Sequence, residues 1–456
     1  MPVRPLTRRP PSRGPPTTAR KLPACAAPEA LLPPLFLTLA HSRSLPLAGE
    51  EKDKKLRRLL DRRGGSVQLA RALAGSNDAA AQLQALEYLE EIAQCAAQTK
   101  GVLPTRFAAC FRPLIALLDC RGRARVVLAA ARAVADFTEL THYAETVRRA
   151  LGTAECVWRL AQLLLPTGDE VPYSSESEAD FEEGAEEEEE EPYREDTAYA
   201  AARALMGLTE GSDPAMCKRV AAGALPALLG CMGEFNYDED EAIDVEHVSI
   251  ADHVTCVLER LSKLPELHVQ LATDDVLNGL VDVLEKSSSR DANEHAAGAL
   301  VSLCASHDAS VRKRVAHRCT ATLLETIDGS RYTVNDTDAG FIALRAIGFL
   351  CLLGDDAVRD NIVEHNGIDL MAREITYHSV KAGWCLCSLA AVGSAALCKK
   401  ILEDAEGVLE LVAKGDDALL RNLAGPALKA AREPQNPSFR RRALKKAQRY
   451  AASMLS

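Results

Sequence analysis

The cysteines of this chain are its first candidates for chemistry, because thiolates bind zinc and act as nucleophiles. Cys385 and Cys387, with Cys398 further on, come nearest to a metal-binding set. A structural zinc site needs four closely placed Cys or His ligands, and this spacing does not supply them. All three cysteines stand in apolar helical patterns, where a free cysteine behaves as a small hydrophobic residue. We therefore predict that they are buried and bind no metal.

The acidic residues and histidines give no stronger candidate. Asp336 and Asp338 resemble the start of a calcium loop, but Ile347 stands where the bidentate glutamate would be. A Gly-rich phosphate loop and a Gly-x-Ser-x-Gly elbow are absent, and the ten histidines contain no i, i+4 pair. The sequence therefore predicts no catalytic residue, no metal and no cofactor, and the chain is not expected to be an enzyme.

The elements that would position any binding residue are predicted to be helices. Apolar residues make up 47% of the 456 residues and aromatic residues only 4%, a composition that favours close helix packing over sheets. One Ala-rich phrase occurs twice, as AAARAVADFTE at Ala129–Glu139 and as AAARALMGLTE at Ala200–Glu210. Comparable helices end at large apolar residues that recur along the chain, namely Leu89, Phe137, Leu208, Leu261, Leu303, Leu350 and Leu389.

A second phrase follows each of these helices and consists of an apolar residue, a short turn and a Leu-rich helix. The clearest copy lies within residues 218–232, and other copies begin at Leu271, Ile362 and Ile401. The two phrases together resemble the armadillo family over roughly residues 75–430. The resemblance implies an all-α, right-handed superhelical solenoid of about seven to eight repeats, with a HEAT-like solenoid as the alternative. Repeats of about 40 residues cannot bury their apolar faces alone, so stacking must supply the core.

The resemblance also implies a binding site, because the third helix of each armadillo repeat lines a concave groove. In importin-like members this helix carries a tryptophan and, four residues on, an asparagine, which lie on one helix face. Trp384 is the one match in this chain, so binding of basic peptides in the importin manner is not expected. The residues that the resemblance assigns to a partner-binding groove are Arg132, Asp136, Arg203, Arg260, Ser302, Arg345, Phe349, Trp384 and Ser388.

The arginines among these positions suggest what the groove would bind. Guanidinium groups match carboxylates and phosphates, so Arg132, Arg203, Arg260 and Arg345 favour acidic or phosphorylated partner segments. The alternative is that their side chains cover neighbouring apolar surface.

The net charge of the chain is −11, and two acidic segments carry more negative charge than this net value. Residues 169–196 hold 15 acidic residues and one basic residue, and a second acidic loop occupies residues 233–247. Like charges repel, so the first segment is predicted to be a disordered insert that captures a basic partner, occupies the groove or simply keeps the protein in solution. Ser175 and Ser177 each precede an acid by three residues and are possible phosphorylation sites.

The ends of the chain are basic. Residues 1–50 form a Pro-rich arm, interpreted either as a disordered segment or as a targeting peptide. The solenoid is assigned to residues 51–432, and residues 433–456 to a basic tail or solvated helix that could also serve as a nuclear-localisation or phosphate-binding segment. Scattered cysteines indicate a reducing compartment, so we expect a cytoplasmic or nuclear protein, or an organellar one if the arm is a transit peptide.

The predicted function is that of a scaffold or adaptor that binds partner segments in a concave groove. The alternatives are a chaperone cofactor of the nucleotide-exchange type, or the non-catalytic subunit of an enzyme or ligase complex. Protein partners are expected, nucleic acid and a membrane span are not, and the chain is predicted to be a monomer.

Overall fold

The computed structural model describes residues 65–75, 78–98, 108–119, 123–140, 144–165, 192–234, 249–329, 339–377 and 379–455. All of them belong to one compact unit, Asp53–Ser456. In these residues the secondary structure is helical and contains no strand, which confirms the all-α prediction. The helices are α1 (Gly65–Gly75), α2 (Ala79–Gln98), α3 (Ala108–Leu117), α4 (Ala124–Thr138), α5 (Ala144–Leu151), α6 (Ala154–Leu164), α7 (Pro192–Thr209), α8 (Pro214–Glu234), α9 (Ile250–Ser262), α10 (His268–Leu271), α11 (Asp274–Lys286), α12 (Arg290–Cys304), α13 (Ala309–Gly329), α14 (Ala339–Leu353), α15 (Asp356–Glu364), α16 (Gly367–Thr376), α17 (Val380–Val392), α18 (Ala395–Lys414), α19 (Ala418–Arg432) and α20 (Pro437–Leu455).

The helices form two rows that follow the order of the chain. The Ala-rich helices predicted from the first phrase pack one on the next in the order α2, α4, α7, α9, α12, α14 and α17, and α19, which the phrase did not predict, continues the row. The helices between them form an outer row in which α6, α8, α11 and α13 pack in succession. We call the members of the first row third helices, after their place in each repeat. Eight third helices in the described residues agree with the prediction of about seven to eight repeats.

Local sequence signals set many of the helix starts. The Ser249 hydroxyl accepts a hydrogen bond from the Asp252 amide at 3.2 Å, and the Asp252 carboxylate accepts one from the Ser249 amide. This reciprocal capping box satisfies two amides that would otherwise lack partners at the start of α9. At the starts of other helices a side-chain oxygen accepts a hydrogen bond from a backbone amide of the first turn, without the reciprocal bond, at Thr153, Ser289, Asp355, Ser379, Ser394 and Asp417.

Two residues allow neighbouring third helices to approach closely. A Cβ at Gly207 would overlap the Thr138 side chain of α4, and a Cβ at Gly348 would overlap the indole ring of Trp384. Glycine is therefore required at both positions by the packing of helix on helix, although it costs helix stability by itself.

The predicted turn within the second phrase forms in some repeats and is wrong in others. Asn366 adopts a left-handed conformation with φ 58° and separates α15 from α16, as expected for the copy that begins at Ile362. Residues 214–234 instead form one continuous helix that runs through Pro226, and α18 likewise continues through the copy that begins at Ile401. A break requires a residue that leaves the right-handed helical region, and these two copies have none.

The acidic insert was predicted to extend to Asp196, and this boundary is wrong. Helix α7 begins at Pro192, so residues 192–196 are helical. Proline suits the first turn because its missing N–H would have no intrahelical partner there, and acids in that turn interact favourably with the helix dipole. The rest of the insert, including the predicted phosphorylation sites Ser175 and Ser177, and most of the second acidic loop lie outside the described residues.

The prediction of a solvated C-terminal helix is also wrong. Helix α20 packs against α17 and α19 and buries Ala443, Ala447 and Ala451. The basic residues of this segment lie mainly on its other side, and this explains why the charge pattern alone suggested a solvated helix.

Among the described helices, α8 is long and apolar enough to cross a membrane by length and composition. More than half of its apolar window is buried inside the fold, which is usual for a core helix, so it is weak evidence for a membrane span.

Candidate partner-binding face

Helix α4 leaves one stripe of side chains uncovered by its neighbours. Arg125, Ala129, Arg132, Asp136 and Glu139 recur every three or four residues and are exposed or half-buried, whereas the rest of the helix from Val126 is buried. Spacing of this kind places all five on one side of a helix. This side faces away from the packed rows, so it is the surface on which a partner could be bound.

The equivalent side of α7 carries Asp196, Tyr199, Arg203 and Met206. The uncovered sides of α4, α7 and α12, together with the C-terminal end of α9, form the surface that we call the open face. On α9 the equivalent positions Ser249, His253 and Cys256 are buried. The predicted groove residues Arg132, Asp136, Arg203, Arg260 and Ser302 belong to it.

Ion pairs join α4 to α7 across the open face. The Arg203 guanidinium donates to both carboxylate oxygens of Glu139, at 2.7 and 2.5 Å, and lies 3.1 Å from Asp136. Arg132 pairs in the reverse direction with Asp196 of α7 at 2.9 Å. The two arginines, predicted as binding residues for an acidic guest, therefore already have carboxylate partners within the chain.

The ion pairs of Arg132 and Arg203 differ in solvent exposure and in the number of carboxylate partners. Side chains in the Arg132–Asp196 pair are 49% and 55% exposed, so water and salt compete with the interaction and it contributes little stability. Arg203 is less exposed and binds two carboxylates, one of them in a bidentate arrangement. Arg132 is thus the arginine more available to an outside ligand.

The acids near Arg203 have shifted titration behaviour. Burial raises the pKa of Glu90 on α2 to about 7, and the charge of Asp136 adds to this, while Arg132 and Arg203 oppose it. Burial also raises the pKa of Asp136 against the opposing charge of Arg203. Burial alone would lower the pKa of Arg203, but its hydrogen bond to Glu139 and the two nearby carboxylates raise it. This part of the open face is therefore rich in partly buried carboxylates.

Replacing Glu90 by glutamine is expected to stabilise the protein at high pH. The pKa of Glu90 is about 7 in the folded protein and near 4.5 without burial, so its contribution to stability is present at low pH and lost as the pH rises through 7. Glutamine removes this cost, and after allowance for solvent screening we expect a gain of about 1 kcal/mol at pH 8.

Urea denaturation at pH 8 and near pH 4.5 measures this effect. The gain should disappear at the lower pH, and Glu91→Gln, on the same helix but exposed, is the matched control. An equal gain at both pH values would show that the charge of Glu90 is not the cause.

The α9–α12 part of the open face contains a second charged group that the sequence did not indicate as a site. His295 Nδ1 lies 2.7 Å from Glu259 Oε2, and Lys263 Nζ lies 3.0 Å from Glu259 Oε1. Interactions with Cys256 and Glu259 raise the pKa of His295 to about 10, so this histidine carries a charge at neutral pH. Burial would raise the pKa of Glu259, but His295 and Lys263 lower it.

Arg260 and Ser302 have local partners. Arg260 Nη1 donates to the Met206 carbonyl at 2.5 Å and so links α9 to α7. The Ser302 hydroxyl donates to the Gly298 carbonyl one turn earlier in its own helix. Arg260 keeps further N–H groups for another acceptor, since one guanidinium has five.

The remaining predicted groove residues lie elsewhere on the row of third helices, under α20. Trp384 is fully buried, Phe349 packs edge-on against it with ring centroids 5.3 Å apart, and the Ser388 hydroxyl donates to the Trp384 carbonyl at 2.8 Å. Arg345 donates to the Met454 carbonyl of α20 at 2.8 Å. We call this part, on α14 and α17, the covered face.

The structure thus divides the predicted residues into two groups, five on the open face and four on the covered face. Reasoning from the sequence missed Glu90, Glu139, Glu259 and His295. Glu139 could have been found from its position three residues after Asp136 on the same helix stripe, whereas the others depend on which helices become neighbours.

Cys385, Cys387 and Cys398 lie buried in the described core, as the sequence indicated. Their thiols face the separate backbone carbonyls of Leu344, Ala443 and Ala390.

Comparison with known proteins gives a result for the fold alone. No protein-family model and no curated protein matches the sequence. Among solved structures, an engineered protein of the Northeast Structural Genomics Consortium is similar over 88% of this chain and 90% of its own, with 18% identity and a TM-score of 0.58.

Two designed armadillo repeat proteins are also similar, each over 60% of this chain and 99% of its own with 16% identity. One was designed for modular peptide recognition and has a TM-score of 0.45, and the other is in complex with the peptide (KR)4 and has a TM-score of 0.44. The stacked third helices, with separate first and second helices at α5–α6, α10–α11 and α15–α16, identify the fold of this chain as an armadillo-like α-solenoid.

Proposed function

We propose that this chain is a non-catalytic adaptor that binds a segment of a partner protein along the open face. The observation that carries this proposal is the uncovered stripe of polar side chains on α4 and α7, which continues at the C-terminal end of α9 and on α12. A row of stacked helices offers such a stripe to an elongated ligand, because every repeat contributes equivalent positions.

The ligand that we propose is an acidic or phosphorylated segment. Arg132 supports this, since its ion pair with Asp196 is exposed on both sides and can exchange for a carboxylate or phosphate of a guest. Arg203 is proposed to position Asp136 and Glu139 and not to bind the guest itself, because it already holds both carboxylates.

A basic partner is proposed for the two acidic segments. They connect α6 to α7 and α8 to α9, which are equivalent connections in successive repeats, and their charge favours ligands of opposite sign. We also propose a reducing compartment such as the cytoplasm or nucleus. In support, eleven cysteines in the described part of the chain are buried in the helical core, where a thiol acts as a small hydrophobic residue.

Fluorescence anisotropy with three labelled peptides tests the ligand proposal. One peptide alternates glutamate with phosphoserine, the second has serine in place of phosphoserine, and the third alternates lysine with arginine. The phosphorylated peptide should bind best, with an affinity that falls as salt is added. Arg132→Glu should weaken its binding about tenfold or more, because hydrogen bonds between charged groups contribute about 1.5–3 kcal/mol.

Arg149→Glu is the matched control, since Arg149 is 76% exposed and lies on α5, outside the third-helix row. Equal losses in the two variants would show only a general effect of net charge. Tighter binding of the Lys-Arg peptide would contradict the proposed ligand and would indicate that the carboxylates of the open face dominate.

A further inference from the structure

Side chains of the covered face contact backbone carbonyls of α20. Trp384 Nε1 donates a hydrogen bond to the Ala447 carbonyl at 3.1 Å, and the Cys387 thiol lies 3.6 Å from the Ala443 carbonyl. Both carbonyls lie in the interior of α20, so the covered face contacts a helix that is already formed. Alanine at these positions leaves the carbonyls accessible, because a larger side chain would keep the two helices apart.

Arginines hold the two ends of α20. At its start, Arg440 donates to the carbonyls of Ala391 at 3.0 Å and Gly393 at 2.8 Å, at the C-terminal end of α17. At its end, Arg345 of α14 donates to the Met454 carbonyl at 2.8 Å. Both contacts place a cation against the negative end of a helix dipole, where carbonyls lack intrahelical partners.

One aromatic contact fixes the register of α20. The Tyr450 ring lies against Trp384 with centroids 5.6 Å apart. Tyr450 follows Ala443 by seven residues, so it lies on the same side of α20 as the alanines at 443, 447 and 451. The covered face therefore selects a helix with alanine at every fourth position and an aromatic residue one position before the third alanine.

The side chains that α20 buries are small, although it packs on α17 about as extensively as α14 does and also packs on α19. The fully or nearly buried apolar residues of α20 are three alanines, whereas α17 buries a tryptophan, two leucines and two cysteines. Four residues separate α20 from α19, and such a short tether gives the attached helix a high effective concentration at its site. The tether thus favours α20 over any separate helix that could make the same contacts.

We propose that the covered face is a recognition site for an α-helix, which α20 occupies in the same chain as an exchangeable ligand. Partner helices with the Ala-x-x-x-Ala-x-x-Tyr-Ala pattern are the class of ligand that would replace it. This inference concerns α14 and α17 and does not depend on what the open face binds.

Tryptophan fluorescence in the full-length chain tests the proposal. The protein has two tryptophans, so Trp158→Phe leaves Trp384 as the single reporter of α20 docking. In this background, Ala447→Glu should move the Trp384 emission to longer wavelength and make it accessible to acrylamide. Ala452→Glu, the same substitution at an exposed position of α20, should leave the emission unchanged.

Adding a synthetic peptide of residues 437–455 provides the decisive step. The peptide should bind the Ala447→Glu chain about a hundredfold more tightly than the parent chain, because in the parent the tethered helix competes for the site. Binding should return the Trp384 emission to shorter wavelength, and a peptide that itself carries Ala447→Glu should have no effect.

Two outcomes would overturn the proposal. An unchanged emission in the Ala447→Glu chain would show that α20 does not depend on the close approach at Ala447. Loss of helical circular dichroism that the peptide fails to restore would show that α20 is a fixed part of the core. Arg440→Gln removes two hydrogen bonds without placing a charge beside Trp384. It should also increase the quenching of Trp384 by acrylamide, and it provides a second test in case Ala447→Glu misfolds.

Discussion

Replacing Trp384 by alanine is expected to lower the free energy of unfolding by about 3–5 kcal/mol, the usual cost of deleting a large buried aromatic side chain. The ring has no exposed surface, packs on Gly348 and Phe349 of α14, and meets Tyr450 of α20. Its loss leaves a cavity among three helices and also leaves the Ala447 carbonyl without the indole donor.

Trp158→Ala is the matched control, because Trp158 on α6 is 51% exposed. Its effect should be within about 0.5 kcal/mol, as for most surface substitutions. Repeat proteins need not unfold in one step, so hydrogen exchange should accompany chemical denaturation. We expect Trp384→Ala to reduce amide protection in α14, α17 and α20 first, and uniform loss along the chain would contradict this assignment.

Arg203→Met is expected to destabilise the protein by about 1–3 kcal/mol at pH 8, less than for a fully buried ion pair. The methionine keeps much of the side-chain volume, but Asp136 and Glu139 lose their shared cation. Asp136 then repels both Glu139 and Glu90, and the charge of Glu90 is already disfavoured by burial. Repulsion among the three acids should therefore dominate the effect.

The stability lost in Arg203→Met should become smaller as the pH falls. Burial raises the pKa of both Glu90 and Asp136 in the folded chain, so the folded state takes up protons more readily than the unfolded one. A carboxyl group whose pKa is raised by folding stabilises the folded state at low pH, and this contribution is lost as the pH rises. For Glu90 the loss occurs between pH 4.5 and about 7.

Urea denaturation of Arg203→Met at pH 8 and pH 5 measures this difference. Arg149→Met, which breaks an exposed ion pair with Glu145, should change stability little at either pH. An equal loss at both pH values in Arg203→Met would assign the effect to packing and not to charge.

The roles of Arg132 and Arg203 show how far equivalent positions can differ. They occupy the same place in two copies of one phrase, and the sequence alone predicts the same role for both. In the structure Arg203 reaches back to α4, where Asp136 and Glu139 meet it, whereas Arg132 reaches forward to an exposed aspartate. The difference arises from the neighbouring helix, whose stripe has two acids in one case and one in the other.

The presence or absence of a break in the outer helices also follows from single residues. Asn366 tolerates the left-handed conformation because its short polar side chain can hydrogen-bond locally, so α15 ends there. In α8 the expected turn around Gly223 does not form, because the flanking alanines favour helix and Gly223 packs against Val157 of α6. The phrase was recognised correctly, but its conformation depended on packing.

The sequence by itself determined the class of fold, the places of the third helices and the stripe of binding positions expected on each of them. These features depend on residues three or four apart, and a helix brings such residues together without reference to the rest of the chain. The repeated phrase at Ala129 and Ala200 was therefore enough to place α4 and α7, and the stripe containing Arg132 and Asp136 followed from the period.

The tertiary structure alone decided which of these stripes remain open. Whether Trp384 faces a partner or lies in the core depends on α20, whose contact with it spans 63 residues of sequence. The basic residues of α20 suggested a solvated helix, and its alanines gave no strong signal because an alanine stripe has little apolar surface to reveal it. Contacts between distant segments depend on the shapes of both surfaces, which local periodicity does not encode.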